Sequence, residues 1–245
     1  MCIRDRLYNE LAYLWPIISP PDEYRDEAAF FCSVVHEILG PGLHKLLELG
    51  VGGGHNLYHL TADFDCVAVD LSPEMTSLSE KLNPGVEHHV GDMRNVRLDQ
   101  TFDAVLVHDA VSYLLTEQDL VETFATAKIH LRHGGVLMVA PDWVQETFPD
   151  GWVFNWEQEG EGISISVEEV MDDPDTSDTQ VESIYTYKIT ENGETKVEKD
   201  THITGLFPIN TWAELMEQGG FQVEVRSLPP NEGGYGSWLF IGIVR

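Results

Sequence analysis

The feature that most restricts the fold of this chain is a cluster of glycines directly after a short apolar run. The run spans residues 45–50 and contains Glu48, and four of the five positions 50–54 are glycine. Each glycine costs conformational entropy, so such a cluster marks a tight turn or a backbone that touches a ligand. Helical spacing resumes from about Gly54 to Thr61. The stretch therefore predicts a strand, a glycine turn and a helix, which is the arrangement of nucleotide-type binding loops.

Further apolar runs of strand length follow, and amphipathic stretches separate them. One such stretch begins with Ser72 as a helix N-cap and Pro73 at the first helical position, and another covers 117–132. Near-continuous Val, Leu and Ala runs between helices predict a parallel sheet that is covered on both faces. The predicted strands after the first lie at 66–71, 86–92, 102–109 and 135–142.

The pattern changes after Pro149. Residues 152–204 lose helical periodicity, and 171–178 reads as an exposed loop. An antiparallel hairpin is predicted at 181–204, with its turn at Asn192-Gly193. A helix at 211–220 and strands at 221–228 and 237–245 then close the chain.

Charge and cysteine content narrow the function. The chain has 42 acidic residues against 14 Lys and Arg, a formal net charge of −28, which disfavours nucleic acid and anionic membranes as partners. The acidity fits either an ordinary solvated surface or adaptation to a salty cytoplasm. Cys2, Cys32 and Cys66 form no CxxC pair, so we expect free thiols in the cytoplasm. His88 and His89 lack ligand spacing, and we expect no metal.

The glycine spacing decides between two cofactor classes. The dinucleotide fingerprint G-x-G-x-x-G fails, because counting from Gly50 places His55 at its third glycine. The spacing that does match is E-x-G-x-G-x-G, from Glu48 to Gly54. This pattern resembles motif I of the class I S-adenosylmethionine-dependent methyltransferases. Segments typical of that family's later strands follow in order up to residue 142.

The resemblance implies a fold and a set of cofactor-binding residues. The fold is Rossmann-like α/β, a seven-stranded, mostly parallel sheet with an antiparallel β insertion after strand five. Asp70, 20 residues after Gly50, is the expected acceptor for the ribose hydroxyls. Asp92 and Met93 correspond to the positions that hold and cover the adenine. The implied cofactor-binding set is Tyr8, Tyr24, Glu48, Gly50, Gly52, Asp70, Leu71, Asp92, Met93 and His108.

Other segments, above all residues 202–207, resemble bacterial deoxyamino-sugar N-methyltransferases. This resemblance implies that Tyr8 lies over the cofactor and that Tyr24 belongs to the next helix. The chain departs from those enzymes twice: Tyr113 stands where a His is common, and the last hairpin lacks an Arg suited to a diphosphate. We expect a cap or lid segment at 1–40, a core at 41–149 and 206–245, and a substrate-shaping insertion at 150–205.

The expected catalytic residues are Tyr113, His108 and Asp142. His108 follows strand four and is weighed as a base or a structural hydrogen-bonding group. Asp142 follows strand five and would orient an amine or cap a helix. Tyr113 would hydrogen-bond the nucleophile or only pack. His202 is weighed mainly as a structural residue, and Trp15, Asp109, Trp143 and Tyr235 are expected near the site.

We therefore predict S-adenosylmethionine-dependent methylation of a small molecule, with S-adenosylhomocysteine as product and an amine as the first candidate acceptor. O- or S-methylation of an acid, alcohol or thiol is the nearest alternative. An NAD-dependent oxidoreductase and a non-catalytic cofactor-binding protein are alternatives from other classes. We expect a monomer or homodimer.

Overall fold

The computed structural model describes residues 5–228 and 238–245. Six α-helices lie in this part of the chain: α1 Trp15–Ile18, α2 Arg25–Leu39, α3 His55–Leu60, α4 Pro73–Leu82, α5 Glu117–His130 and α6 Ile209–Gln218. Short 3-10 helices occur at Arg6–Tyr8, Ala12–Leu14, Pro21–Tyr24 and Asp109–Tyr113. Within the described ranges, no helix has both the length and the apolar character needed to cross a bilayer.

The central sheet has seven strands in the order β10-β11-β5-β4-β1-β2-β3. The first five strands run parallel, and β11 is antiparallel to both of its neighbours. The predicted fold class is therefore present. The strand bounds are β1 His44–Leu49, β2 Phe64–Asp70, β3 Glu87–Val90, β4 Phe102–Val107, β5 Leu131–Val139, β10 Phe221–Ser227 and β11 Trp238–Val244.

The apolar core lies on both faces of this sheet because successive residues of a strand point to opposite sides. Leu47 and Leu49 of β1 belong to one buried cluster, with residues of α5 and α6. Leu46 belongs to the other, with residues of α2 and α3. This two-sided burial explains the near-continuous apolar runs in the sequence.

A second sheet of four antiparallel strands, β6-β7-β8-β9, follows β5. The hairpin of β8 and β9 turns at Asn192 and Gly193, where both φ angles are positive, as the Asn-Gly pair predicts. The sequence prediction omitted β6 and β7, because acidic residues and glycines interrupt their apolar alternation. The bounds are β6 Val153–Gly160, β7 Ile163–Asp172, β8 Gln180–Glu191 and β9 Glu194–Gly205.

The amino-terminal segment packs against this second sheet. Leu7, Leu11, Leu14 and Ile17 form a buried cluster with apolar residues of β7 and β8. The backbone N–H of Leu7 also donates to the carboxylate of Asp200 on β9, at 2.8 Å. The segment and the second sheet are thus joined beside the central sheet. The division into cap, core and insertion remains our proposal.

Several element boundaries differ from the sequence prediction by a few residues, and two of these differences have a visible cause. The helix predicted to reach residue 132 ends at His130, and β5 begins at Leu131 rather than at 135. The His130 ring accepts the N–H of Leu98 at 2.9 Å, which holds the helix end there. The third strand is also shorter, Glu87–Val90, because the chain turns at Asp92, whose carboxylate accepts the N–H of Arg94.

Candidate functional site

A cavity of about 530 Å³ opens at the carboxyl edge of the parallel strands. The residues that follow β1, β2, β3, β4 and β5 all contribute to its wall, as expected for the ligand crevice of an open α/β sheet. The amino-terminal segment and the inner face of the second sheet supply the remaining wall. The cavity is therefore bounded by all three parts of the chain.

The glycine turn after β1 lies against two other segments. The N–H groups of Gly50 and Val51 both donate to the carbonyl of Val69, at 2.8 and 3.0 Å. Gly50 has a φ of +82°, and a Cβ there would overlap the Cβ of Ala110. The turn needs glycine at this position because the segment after β4 approaches its backbone closely.

Asp70 connects this turn to the end of β2. Its Oδ2 accepts the N–H of Gly52 at 2.7 Å, and its Oδ1 accepts the N–H of Ser72 at 2.8 Å. Burial raises the pKa of Asp70, although these N–H donors act in the opposite direction. Asp70 lines the cavity, where its carboxylate is an acceptor for hydroxyl groups.

His108 lies between two carboxylates. Its Nε2 is 3.0 Å from Oε1 of Glu27 and 2.9 Å from Oδ1 of Asp109. Burial opposes a charge on this ring, but Asp109 and Glu27 outweigh burial and raise the pKa of His108 well above its usual value. An imidazolium paired in this way suits an electrostatic role better than proton abstraction.

Two further acids beside His108, the buried Glu48 and the half-buried Asp142, favour their neutral forms. Burial raises the pKa of Glu48 to about 8, despite the opposing charge of His108. Burial also raises the pKa of Asp142 well above its usual value, and the carboxyl of Asp109 adds to this through charge and a hydrogen bond. A cationic ligand would stabilise the ionised form of both groups.

Several polar atoms of the cavity wall are buried and have no hydrogen-bond partner within the described residues. A buried polar atom without a partner is costly, so these atoms indicate a polar ligand. Burial lowers the pKa of His55 to about 4, so its ring is neutral at pH 7. The atoms are Oε2 of Glu48, Oδ1 of Asn56, Nδ1 of His55 and Nε1 of Trp15.

Tyr113 lies in a chain of hydrogen bonds at the junction of the three parts. Its hydroxyl oxygen is 2.8 Å from that of Tyr8 and 2.7 Å from Nδ1 of His202. Nε2 of His202 is 3.0 Å from Oδ2 of Asp200. The sequence analysis weighed His202 mainly as structural and missed Asp200. His202 and Asp200 lie two positions apart on one strand and therefore share one face of it. This spacing is the sequence signal that could have identified the pair.

The second sheet covers the cavity with aromatic side chains. Phe154, Trp156 and Tyr185 line it together with the carboxylate of Glu169, which accepts a hydrogen bond of 2.7 Å from the Tyr185 hydroxyl. Phe154, Glu169 and Tyr185 face one another across β6, β7 and β8. The sequence analysis missed this group because β6 and β7 were not recognised as strands.

Most of the predicted site residues come together here. Those that line the cavity are Tyr8, Tyr24, Glu48, Gly50, Gly52, Asp70, Leu71, Met93, His108, Tyr113 and Asp142, and Trp15, Asp109, Trp143 and His202 join them. Tyr235 lies outside the described residues.

Asp92 is the exception among the predicted cofactor-binding residues. It is not part of the cavity wall, and its carboxylate binds the guanidinium of Arg94 at 2.7 Å. Arg94 in turn binds Asp119 at 2.6 Å. Burial raises the pKa of Asp92, but the bonds from Arg94 outweigh burial and lower it overall. Its predicted contact with adenine therefore has no support from its side chain.

Apart from the imidazolium of His108, the ionisable side chains of the cavity wall are mainly acidic. Within the described residues, its wall includes no Lys or Arg. Acidic side chains lie around all of it: Asp5, Glu23, Glu27, Glu48, Asp70, Asp109, Asp142 and Glu169. Such a wall attracts cations and repels phosphates. No group of three or more His, Cys, Asp or Glu in the described ranges is arranged to hold a metal ion.

Comparison with known proteins gives matches to methyltransferases. Residues 46–135 match the family model described as a methyltransferase domain. A dTDP-3-amino-3,4,6-trideoxy-alpha-D-glucopyranose N,N-dimethyltransferase from Streptomyces venezuelae is 38% identical over 133 residues, 54% of this chain. That alignment spans only 56% of the relative's length. A dTDP-3-amino-3,6-dideoxy-alpha-D-glucopyranose N,N-dimethyltransferase from Streptomyces fradiae is 27% identical over 96% of this chain and 91% of its own.

Solved structures show the same fold over the whole chain. Streptomyces venezuelae DesVI superposes with a TM-score of 0.82 and 28% identity, covering 96% of both chains. The sugar N-methyltransferase KedS8 from a Streptoalloteichus species also gives a TM-score of 0.82, with 25% identity over 96% of this chain and 92% of its own. The predicted fold and the predicted resemblance to sugar N-methyltransferases are confirmed.

Proposed function

We propose that this chain, whose residues 46–135 carry a methyltransferase domain, transfers a methyl group from S-adenosylmethionine to the nitrogen of a small amine. The observation that carries the proposal is one continuous cavity with two differing regions. One region is the glycine turn with Asp70. The other is an aromatic and acidic wall beneath the second sheet. The relatives are named N-methyltransferases, which supports the same reaction class.

The cofactor region suits the groups of S-adenosylmethionine. Asp70 would accept from the ribose hydroxyls, and Met93 would pack against the adenine. The unpartnered oxygens of Glu48 and Asn56 would accept from the ammonium of its amino-acid end. Nε1 of Trp15 would donate to the carboxylate. When bound, the cofactor supplies a methyl group on a cationic sulfur, which keeps the electron pair when an uncharged amine displaces it.

The acceptor region suits an ammonium ion. Asp142 shares a hydrogen bond with Asp109 beside it, and a cation placed there would favour the ionised form of Asp142. Trp156 and Tyr185 offer ring faces that attract cations, with Glu169 between the strands that carry them. The walls would hold amine and methyl donor together and exclude water, which is the main requirement of this displacement.

We further propose that the acceptor carries no nucleotide diphosphate. The names of these relatives specify dTDP-linked amino sugars. A diphosphate is normally bound by Arg, Lys or helix N-termini. The described cavity wall has no Lys or Arg, and the imidazolium of His108 is already paired with Glu27 and Asp109. A free amino sugar or another small amine fits this wall better. The dTDP-linked amino sugar remains the second candidate, because the similarity to those relatives favours it.

A panel of matched acceptors tests this proposal. Each amino sugar is offered free, linked to dTDP, and with a hydroxyl in place of its amine, and S-adenosylhomocysteine and the product mass are measured. We expect methylation of the free amine and slower turnover of its dTDP derivative. Faster turnover of the dTDP form would establish the second candidate, and methylation of hydroxyl compounds alone would refute N-methylation.

Two variants of neighbouring acids make the test specific to the acceptor wall. Glu169→Gln removes a charge from the cavity, whereas Glu168→Gln removes one from the exposed face of the same strand. We expect KM for the amine to rise about tenfold in the first variant only, since a buried charged partner contributes roughly 1.5–3 kcal/mol. An equal effect of both variants would contradict the assigned wall. A cytoplasmic location and a monomeric or dimeric state also remain proposals.

A further inference from the structure

We propose that Tyr113, His202 and Asp200 form a hydrogen-bonded chain that accepts the proton an ammonium substrate must lose before methylation. The inference rests on the proposed function, because only an amine that enters as a cation needs this step. It assigns a proton-accepting role to His202 and Asp200 of the second sheet, in addition to the binding role proposed for its aromatic and acidic side chains.

The ionisation state of Asp200 decides which group donates in each hydrogen bond between Asp200, His202 and Tyr113. Oδ2 of Asp200 accepts the N–H of Leu7 at 2.8 Å, and Oδ1 accepts that of Thr201 at 3.1 Å. Burial raises the pKa of Asp200, but its bonds, above all from His202, outweigh burial and lower it overall. Asp200 is therefore a carboxylate, and the neutral ring of His202 carries its proton on Nε2, which faces it at 3.0 Å.

The orientation of both tyrosine hydroxyls is then set. Nδ1 of His202 has a lone pair, so the hydroxyl of Tyr113 donates to it across 2.7 Å. The proton of Tyr113 is used in that bond, and the hydroxyl of Tyr8 must therefore donate to Tyr113 across 2.8 Å. The oxygen of Tyr113 keeps one more lone pair for an N–H of the substrate in the cavity that it lines.

Proton transfer along this chain balances without an outside reagent. The ammonium gives a proton to the oxygen of Tyr113, which passes its own proton to Nδ1 of His202. The products are a neutral amine, a neutral phenol and an imidazolium paired with Asp200. Burial raises the pKa of Tyr113 well above its usual value, so this residue passes the proton on and does not persist as an anion. Each methyl transferred releases one proton, which leaves through the cavity with the product.

Two acidic side chains lie beside the ring of His202. Asp200 lies on its own strand, and Asp5 of the amino-terminal segment adds a second negative charge that interacts with the ring. The other titratable side chains packed on it are neutral phenols: Tyr8, Tyr113 and Tyr185, whose ring centroid is 4.7 Å away. Among these neighbours within the described residues, none is a cation.

The test is the pH dependence of kcat/KM for an amine that the wild type methylates. His202→Asn keeps an oxygen that can accept from Tyr113 but cannot take up a proton. We expect a loss on the order of 10²-fold at pH 7, recovered near pH 10 where the amine is neutral in solution. Thr201→Val, on the exposed face of the same strand, serves as the control. Melting curves and S-adenosylmethionine titration verify folding and cofactor binding.

Tyr113→Phe breaks the chain at a different point and is expected to give the same pH-dependent loss and recovery. A purely structural role would lower kcat/KM equally at every pH, and that result, or an unchanged profile, would overturn the inference. Wild-type protein that binds the cofactor but methylates no amine would instead refute the proposed function, and with it the proton-accepting role of Tyr113, His202 and Asp200. The two failures are thus distinguishable in one data set.

Discussion

Binding of S-adenosylmethionine is expected to release a proton from Glu48. This side chain is buried at the end of β1, and burial raises its pKa to about 8. At pH 7 it is therefore mostly protonated in the free protein. Its Oε2 has no partner in the described residues, and the ammonium of the bound cofactor would supply both the partner and the positive charge that ionises it.

The number of protons released follows from the shift. If binding lowers the pKa of Glu48 below about 6, roughly 0.8 to 0.9 protons leave per cofactor at pH 7. Calorimetric titration in phosphate and in Tris at the same pH measures this number, because the two buffers differ in ionisation enthalpy. Glu48→Gln is expected to abolish the release and to weaken binding by about 1.5–3 kcal/mol, the cost of losing a charged hydrogen bond.

The raised pKa of Glu48 gives Glu48→Gln a second expected effect. The substitution weakens cofactor binding but stabilises the free protein at high pH. A raised pKa in the folded state means that stability is lost as pH rises from the unfolded value of 4.5 through about 8. The free Glu48→Gln protein is therefore expected to be more stable than wild type at pH 9, by a few kcal/mol. Glu80→Gln, an exposed substitution on α4, is the control. Unchanged proton release in Glu48→Gln would refute the reasoning.

Three further predictions concern stability and the acceptor. Gly50→Ala combines a φ of +82° with overlap on Ala110 and is expected to cost about 3 kcal/mol or more in denaturant unfolding, whereas Gly52→Ala, with its nearest neighbour at 3.7 Å, costs about 1. Equal losses of stability in the two variants would contradict the close approach of Ala110 to Gly50. Asp142→Asn is expected to raise KM for the amine about tenfold in steady-state kinetics, while calorimetry shows unchanged cofactor affinity. A change in cofactor affinity alone would contradict the assignment of Asp142 to the acceptor region. The melting temperature is expected to rise with added salt because of the net charge of −28, and a flat response would exclude repulsion as a cost to stability.

The cofactor side of the cavity was predictable from sequence because its signals are local. Gly50 directly follows β1 and Asp70 is the last residue of β2, and strand ends of a parallel sheet meet at one edge. Ser72 also caps α4 as predicted, accepting the N–H of Met75 at 3.1 Å. Such features depend on a few neighbouring residues and on the order of the strands.

The acceptor side was less predictable because it depends on register in the second sheet. Phe154 and Glu169 meet only through the pairing of β6 with β7. Acidic residues interrupt the alternation of apolar and polar residues by which these two strands could be recognised in the sequence. The pairing of Asp92 with Arg94 competes with its expected role, although the two are only two positions apart. The guanidinium of Arg94 is a local sequence feature that predicts an ion pair with Asp92, and the motif match did not take it into account.

The measurement that tests the central claim most directly is calorimetric titration with S-adenosylmethionine and S-adenosylhomocysteine. It compares wild type, Asp70→Ala and the control Asp65→Ala, which alters an exposed acid of the same strand. We expect wild type and control to bind equally and Asp70→Ala to bind more weakly by roughly 1–3 kcal/mol. Absence of binding by folded wild-type protein, or equal binding by Asp70→Ala, would contradict a cofactor site at the glycine turn.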